Sequence, residues 1–394
     1  MPSPPSTVSS PVPVLADAVQ AYVHDHADAY LDLLTHIVRA ESPSTDPDAQ
    51  AAVQRPLAQA LEAIGYRTTH LPGTTTGGCL YARPADVPAD HPRQFLLGHG
   101  DTVWPHGTLA RMPVRRDGDR LHGPGIFDMK AGLVSIVFAL RALHALDHTP
   151  AVTPLVLISS DEEIGSHESR AHIERLAQCS ERVFVLEPAL GLEGQIKTER
   201  KGTGEYVLHL RAADAAADDT PDVAHAVVVE LARLVQDLHA LNDPDVGVTV
   251  NVGTIDGPDA ADGMAGHLAI DVRVPTTDDA RRVDAAIRAI EPSDRGLALD
   301  VEGGMERLPL EKTSGNQRLW HHARRLGGHL GLDLECARAG GASDGNFTSL
   351  YTPTLDGLGA VGDGAHALHE FIDVPRTLDR CALLALLLLA PVET

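Results

Sequence analysis

Cysteine is scarce, four in 394 residues, and Cys79, Cys179, Cys336 and Cys381 lie too far apart to form a CxxC pair. That spacing argues against a disulfide framework or a thiolate metal site and points to a reducing, cytoplasmic setting. Basic residues are also short: 32 Lys and Arg face 55 Asp and Glu, a formal net charge of −23. Such a chain is a poor partner for nucleic acid or for an anionic membrane. Long apolar runs are missing as well. The longest, ALLALLLLAP at 382–391, is too short to span a bilayer and reads as a buried closing helix. The opening MPSPPSTVSSPVPV lacks the basic and apolar regions of a signal peptide, so residues 1–14 are expected to form a flexible lead.

The length exceeds what one core usually fills, so two domains are expected. Helical spacing marks Asp17–Arg39 and Ala49–Ile64, after which apolar strands and helices alternate: Phe95–Leu97, Met129–Leu146, Pro154–Ser159, Glu168–Ala177 and Arg182–Leu186. This is the rhythm of a mixed sheet flanked by helices, an α/β fold. From Lys201 the pattern changes to strand, helix, two strands, helix and strand, a compact α+β unit of ferredoxin-like order. The expected boundaries are 1–202 and 313–394 for the two parts of a catalytic domain, and 203–312 for an inserted lid or dimerisation domain.

Three strand-to-loop junctions carry metal-ligand chemistry. LLGHGDTVWP brings His99 and Asp101, GPGIFDMKAGL brings Asp128, and SSDEEIGS brings Glu162 and Glu163. Ligands at the carboxyl ends of strands sit where open α/β sheets place their sites. Taken singly, each has a plainer reading. Asp128 could cap the following helix, Glu187 before Pro188 could be a solvated strand end, and His366 could be a surface loop residue.

Taken together, HGDTV, GPGIFDMKAG, DEEIGS, LEP at 186–188 and GDGAH at 362–366 occur in an order that resembles the di-zinc peptidase superfamily of glutamate carboxypeptidases (carboxypeptidase G-like), succinyl-diaminopimelate desuccinylases and aminoacylases. The resemblance runs from about Leu31 to the C-terminus. It implies a zinc-peptidase-like catalytic domain with two Zn²⁺ ions, Co²⁺ or Mn²⁺ suiting the same ligands. By that resemblance His99 and Glu187 hold one metal, Asp128 bridges to the second, and Glu163 and His366 complete the set. Glu162 would be the general base, with Asp101 orienting His99 from outside the coordination sphere. His369, three residues beyond His366, stays unassigned, and Glu370 stands where the family also carries an acid.

The resemblance further implies a small-molecule substrate with a carboxylate, gripped by Arg273 and Arg338, with Gly340 and Gly341 letting the backbone approach the ligand. A surface arginine or a plain turn would look the same. It also implies a homodimer through the inserted domain. Two positions depart from the family pattern. RAADAAADDTPD places Asp214 or a neighbour where relatives carry a lid-domain His, and AADGMAGH places Asp262 where they carry Asn. Both could bind a cationic substrate group, or form a solvated acidic loop. The expected function is a metal-dependent hydrolase that cleaves an amide bond of a small N-acyl amino acid or peptide-like substrate. Two alternatives stand beside it: a tailoring enzyme using the same metals for cyclisation, acyl transfer or elimination, and a non-catalytic binder of small molecules.

Overall fold

The computed structural model describes residues 12–88, 91–214, 221–258 and 265–392. They divide into two compact units: 12–198 with Lys312–Ala337 and 347–392, and Glu199–Glu311 with Arg338–Asn346. No helix among the described residues is long and apolar enough to cross a membrane.

The first unit is built on a six-stranded sheet in the order Tyr66–Leu71, Cys79–Pro84, Thr153–Ser159, Arg93–His99, Arg182–Val185 and Thr354–Leu355. The first two strands run antiparallel to each other, and Cys79–Pro84 runs antiparallel to Thr153–Ser159. The remaining pairings are parallel. Parallel strands covered on both faces carry unbroken apolar runs, and Thr153–Ser159 is buried at every position. On one face Val374–Leu389, Ala131–Ala145 and the N-terminal helices supply the main core. On the other, Ile173 and Ala177 of the helix Arg170–Gln178 pack with Phe95, Leu97, Leu157 and Val183.

One glycine sets how closely these layers approach. A Cβ on Gly132, in the helix Ala131–Ala145, would collide with the main-chain oxygen of Leu186, just beyond the strand Arg182–Val185.

At the N-terminus residues 1–11 of the expected lead lie outside the described residues, its last three residues are helical rather than flexible, and the expected single helix is two. A helix starts at Val12 and ends at Asp25, and a second spans Ala27–Arg39. Pro13 falls in a first turn, where its missing N–H has no helical partner to lose. Ala16, Val19 and Val23, spaced by three and four, bury the helix face. The break is at His26 (φ −106°, ψ 19°), whose ring stacks on Tyr22 at a centroid distance of 4.0 Å.

The second unit holds Gly202–Ala212, a helix Pro221–His239, the strands Thr249–Asp256 and Gly266–Val274, a helix Thr277–Arg288 and a last strand Leu297–Arg307. Its four-stranded sheet runs Thr249–Asp256, Gly266–Val274, Gly202–Ala212, Leu297–Arg307, all antiparallel. Inward residues alternate along the central strands and close over Leu208, Leu210, Val227, Leu231, Leu268, Ile270 and Val283. Segment 338–346, expected in the catalytic domain's second part, clusters here instead. The reason is its bonding: Lys201 N donates to Ala339 O (3.1 Å), and Asn346 Nδ2 donates to Leu308 O (2.8 Å) and Lys201 O (3.2 Å).

Candidate metal centre

The sheet of the first unit delivers three of the expected segments to one edge. His99 ends the strand Arg93–His99. Its parallel neighbours on either side lead into Glu162 and Glu163 and into Glu187. Asp128 arrives from a tight turn at Gly125 (φ +70°). It does not cap the helix that follows, whose N-cap is Lys130 with no side-chain capping bond; its carboxylate faces two imidazoles instead. The Asp128–Met129 peptide bond is cis.

Nε2 of His99 lies 3.5 Å from Asp128 Oδ1 and 3.5 Å from Glu187 Oε1. Nε2 of His366 lies 3.4 Å from Asp128 Oδ2 and 3.1 Å from Glu163 Oε2. The two oxygens of Asp128 thus face different histidines. His99, Asp128 and Glu163 each offer an atom within 4.8 Å of the others, and so do His99, Glu162 and Glu187.

Ligands about 2.1 Å from a tetrahedral ion stand about 3.4 Å apart, close to the four separations above. Further, His99 Nε2, Asp128 Oδ1 and Glu163 Oε1 are buried without a hydrogen-bond partner, which is costly unless another group satisfies them. Imidazole and carboxylate donors suit zinc and its borderline neighbours, so the residues fit the ions.

Electrostatics point the same way. Burial opposes a charge on His99, but Asp101, Asp128 and Glu187 outweigh it and raise its pKa well above the ordinary value. His366 is pushed up to about 10 by Asp128 and then Glu163. Burial drives the Asp128 carboxyl up, yet His366 and His99 more than reverse this and hold it down. Glu163 is pushed up to about 7, chiefly by burial. Carboxylates outnumber imidazoles here, a charge balance that favours cations, or protons in their place.

Around this cluster stands a supporting layer. Asp101 Oδ2 accepts from Ser44 Oγ (2.7 Å) and Glu163 N (3.2 Å), and Oδ1 from Glu162 N (3.3 Å). Lys197, itself buried, places Nζ 3.9 Å from Glu187 Oε2. Glu370, fully buried, accepts from Gly125 N, Phe127 N, Asp128 N and Trp104 Nε1. Burial pushes its carboxyl up to about 7 against those four donors.

A family model described as peptidase family M20/M25/M40 matches residues 95–390. The chain belongs to this family. It is accordingly a metallopeptidase or amidohydrolase of the M20 class. Among curated relatives, carboxypeptidase G2 of Pseudomonas sp. (strain RS-16) is 26% identical over 372 residues, covering 90% of this chain and 88% of the relative. Succinyl-diaminopimelate desuccinylase of Delftia acidovorans is 27% identical over 356 residues, covering 84% and 90%. Among solved structures, aminopeptidase PepT of Bacillus cereus superposes with a TM-score of 0.74 at 18% identity, covering 92% of this chain and 98% of that one. The YXEP protein of Bacillus subtilis, described as a dinuclear metal-binding peptidase, gives 0.64 at 12% identity, covering 93% and 98%. These two likenesses concern the fold.

Of the remaining expected residues of this M20 chain, Arg273, Arg338, Gly340, Gly341 and Asp214 lie in the second unit. Arg338 directs Nε (2.9 Å) and Nη2 (2.5 Å) to Glu199 Oε2. Arg273 bonds Asp271 through Nε (3.1 Å) and reaches Gly340 O through Nη1 (3.4 Å). A Cβ at Gly340 or Gly341 would meet no protein atom within 4 Å, so the protein's own packing does not require glycine at either position. Asp214 is exposed just past Gly202–Ala212, and Asp262 lies outside the described residues. His369 is exposed. Sequence reasoning left Ser44, Trp104 and Lys197 out of the site and gave Glu370 no role. For Glu370 a signal existed, an acid four residues after His366.

Proposed function

We propose that the chain is a two-metal amidohydrolase of the carboxypeptidase or deacylase type, cleaving the amide bond of a small N-acyl amino acid or peptide-like substrate that carries a carboxylate. The observation that carries this reading is the set of buried donor atoms on His99, Asp128 and Glu163 that have no hydrogen-bond partner. The names of the relatives, carboxypeptidase G2 and succinyl-diaminopimelate desuccinylase, support the substrate class.

His99 and Glu187 would hold one ion, Glu163 and His366 the other, with Asp128 shared. Zn²⁺ is the first choice for these donors, and Co²⁺ or Mn²⁺ the next. Bound divalent ions would lower the pKa of a water and polarise the scissile carbonyl. Glu162, grouped with His99 and Glu187, is the general base. It takes a proton from the attacking water and returns it to the departing nitrogen, so that water adds across the C–N bond. Asp101 fixes the ring of His99 and the backbone of both glutamates. Arg273 and Arg338 are the cations of the substrate side; Arg338 already holds Glu199 through Nε and Nη2, so a substrate carboxylate there takes its remaining N–H groups or displaces that partner. Asp214 and Asp262 would meet a cationic substrate group. The inserted unit is the dimerisation surface.

The test is hydrolysis of a panel of N-acyl and γ-glutamyl amino acids by purified, Zn²⁺-loaded protein, with Glu162→Gln as control. Turnover by the wild type and its loss in a metal-replete Glu162→Gln support the reading. Failure of the fully loaded wild type across the panel rejects the substrate class.

A further inference from the structure

We propose that Glu370 is a positioning residue for the metal centre, tying the Asp128 turn to the loop after His99 so that the two oxygens of Asp128 face His99 and His366 together. This rests on the reading of Asp128 as a ligand shared by two ions.

Three segments meet at this carboxylate. Oε2 accepts from Gly125 N (2.8 Å) and from the indole Nε1 of Trp104 (2.9 Å), five residues beyond His99. Oε1 accepts from Phe127 N (2.9 Å) and Asp128 N (3.0 Å). Glu370 itself follows His366 by four residues. All four neighbours are donors, so the ionised carboxylate satisfies them all, and an amide would turn a donor toward donors. The bond to Asp128 N acts on the shared ligand's own backbone. Outer partners of this kind orient ligands, and their loss typically costs about 10- to 100-fold in metal affinity.

Glu168 is the natural comparison. It accepts from the backbone amides of Thr74, Thr75 and Thr76, a loop that carries no expected ligand. Metal-free wild type, Glu370→Gln, Glu370→Asp, Trp104→Phe and Glu168→Gln would be checked for fold by near-UV circular dichroism and titrated with Co²⁺. Affinity is read by chelator competition and geometry by the visible d–d bands. Expected is a drop of about 10- to 100-fold in Co²⁺ affinity with altered bands for Glu370→Gln, partial recovery in Glu370→Asp, and a smaller loss in Trp104→Phe. Glu168→Gln should lower Tm while leaving affinity and bands unchanged. A folded Glu370→Gln with wild-type affinity and bands overturns the proposal. If that variant does not fold, wild-type affinity and bands in both Glu370→Asp and Trp104→Phe overturn it. A wild type that takes up no Co²⁺ rejects the metal centre itself, and this role with it.

Discussion

Asp101 meets His99 twice: its main-chain oxygen lies 3.0 Å from His99 Nδ1, and its Oδ1 lies 3.4 Å from the same nitrogen. Nδ1 is thereby engaged, and Nε2 is left facing Asp128 and Glu187. The same carboxylate accepts from the amides of Glu162 and Glu163, so one side chain sets both an imidazole and the acidic pair. Asp101→Asn puts a donor among these donors and removes the charge. Metal affinity should fall about 10- to 100-fold, measured by chelator competition. Unchanged affinity would show that the contact is incidental.

Glu162 and Glu163 are adjacent yet should separate cleanly on mutation. Glu163 Oε2 lies 3.1 Å from His366, whereas Glu162 is grouped with His99 and Glu187. Glu162→Gln should retain two equivalents of metal while kcat drops about 10²- to 10⁴-fold, the usual worth of a general base. Glu163→Gln should lose metal. Metal analysis beside steady-state kinetics distinguishes them, and a Glu162→Gln that loses both ions would assign that residue as a ligand instead.

Removing the metal should expose a pH dependence carried by the proton on His366. His366 is pushed up to about 10 by Asp128 and Glu163. A raised folded-state value means that the proton stabilises the metal-free chain. That contribution is complete below the ordinary histidine value near 6.5 and is lost as pH rises through about 10. Metal uptake must displace such protons, so affinity weakens toward acid pH. Calorimetry in buffers of different ionisation enthalpy should show net proton release. Melting of metal-free wild type against His366→Ala should show a gap at pH 6 that closes by about pH 10; a gap independent of pH would mean that the proton is not held there.

The parallel strands and their cargo were legible because burial on both faces forces apolar runs such as Phe95–Leu97 and Leu155–Ile158, and a polar residue straight after such a run stands out. Tyr66–Leu71 was not. YRTTHL is an edge strand with no buried position, so neither alternation nor apolarity marks it. The placement of 338–346 turns on backbone partners at Lys201 and Leu308, which no local pattern encodes. Ser44 is invisible for the same reason, and Glu370 is marked only by its place four residues after His366: what each does depends on the donors and acceptors that distant segments bring to it. Lys197 resembles any charged residue in a strand until its burial beside Glu187 is seen.

Gly132 makes the link between packing and the metal centre measurable. Its missing side chain leaves room for the main-chain oxygen of Leu186, the residue before Glu187. Gly132→Ala would normally favour a helix by about 1 kcal/mol. Here the added methyl meets backbone that no rotamer change can move, and overpacking of this sort costs about 1–3 kcal/mol. The helix Ala131–Ala145 then has to shift away from Leu186, or the Leu186–Glu187 backbone has to retreat. Denaturant unfolding of the metal-free variant should therefore show a net loss of stability, and titration should show weaker metal binding if the retreat moves Glu187. Stability equal to or above wild type would mean that the helix relaxes freely at this contact, and the close approach would then have no part in placing Glu187.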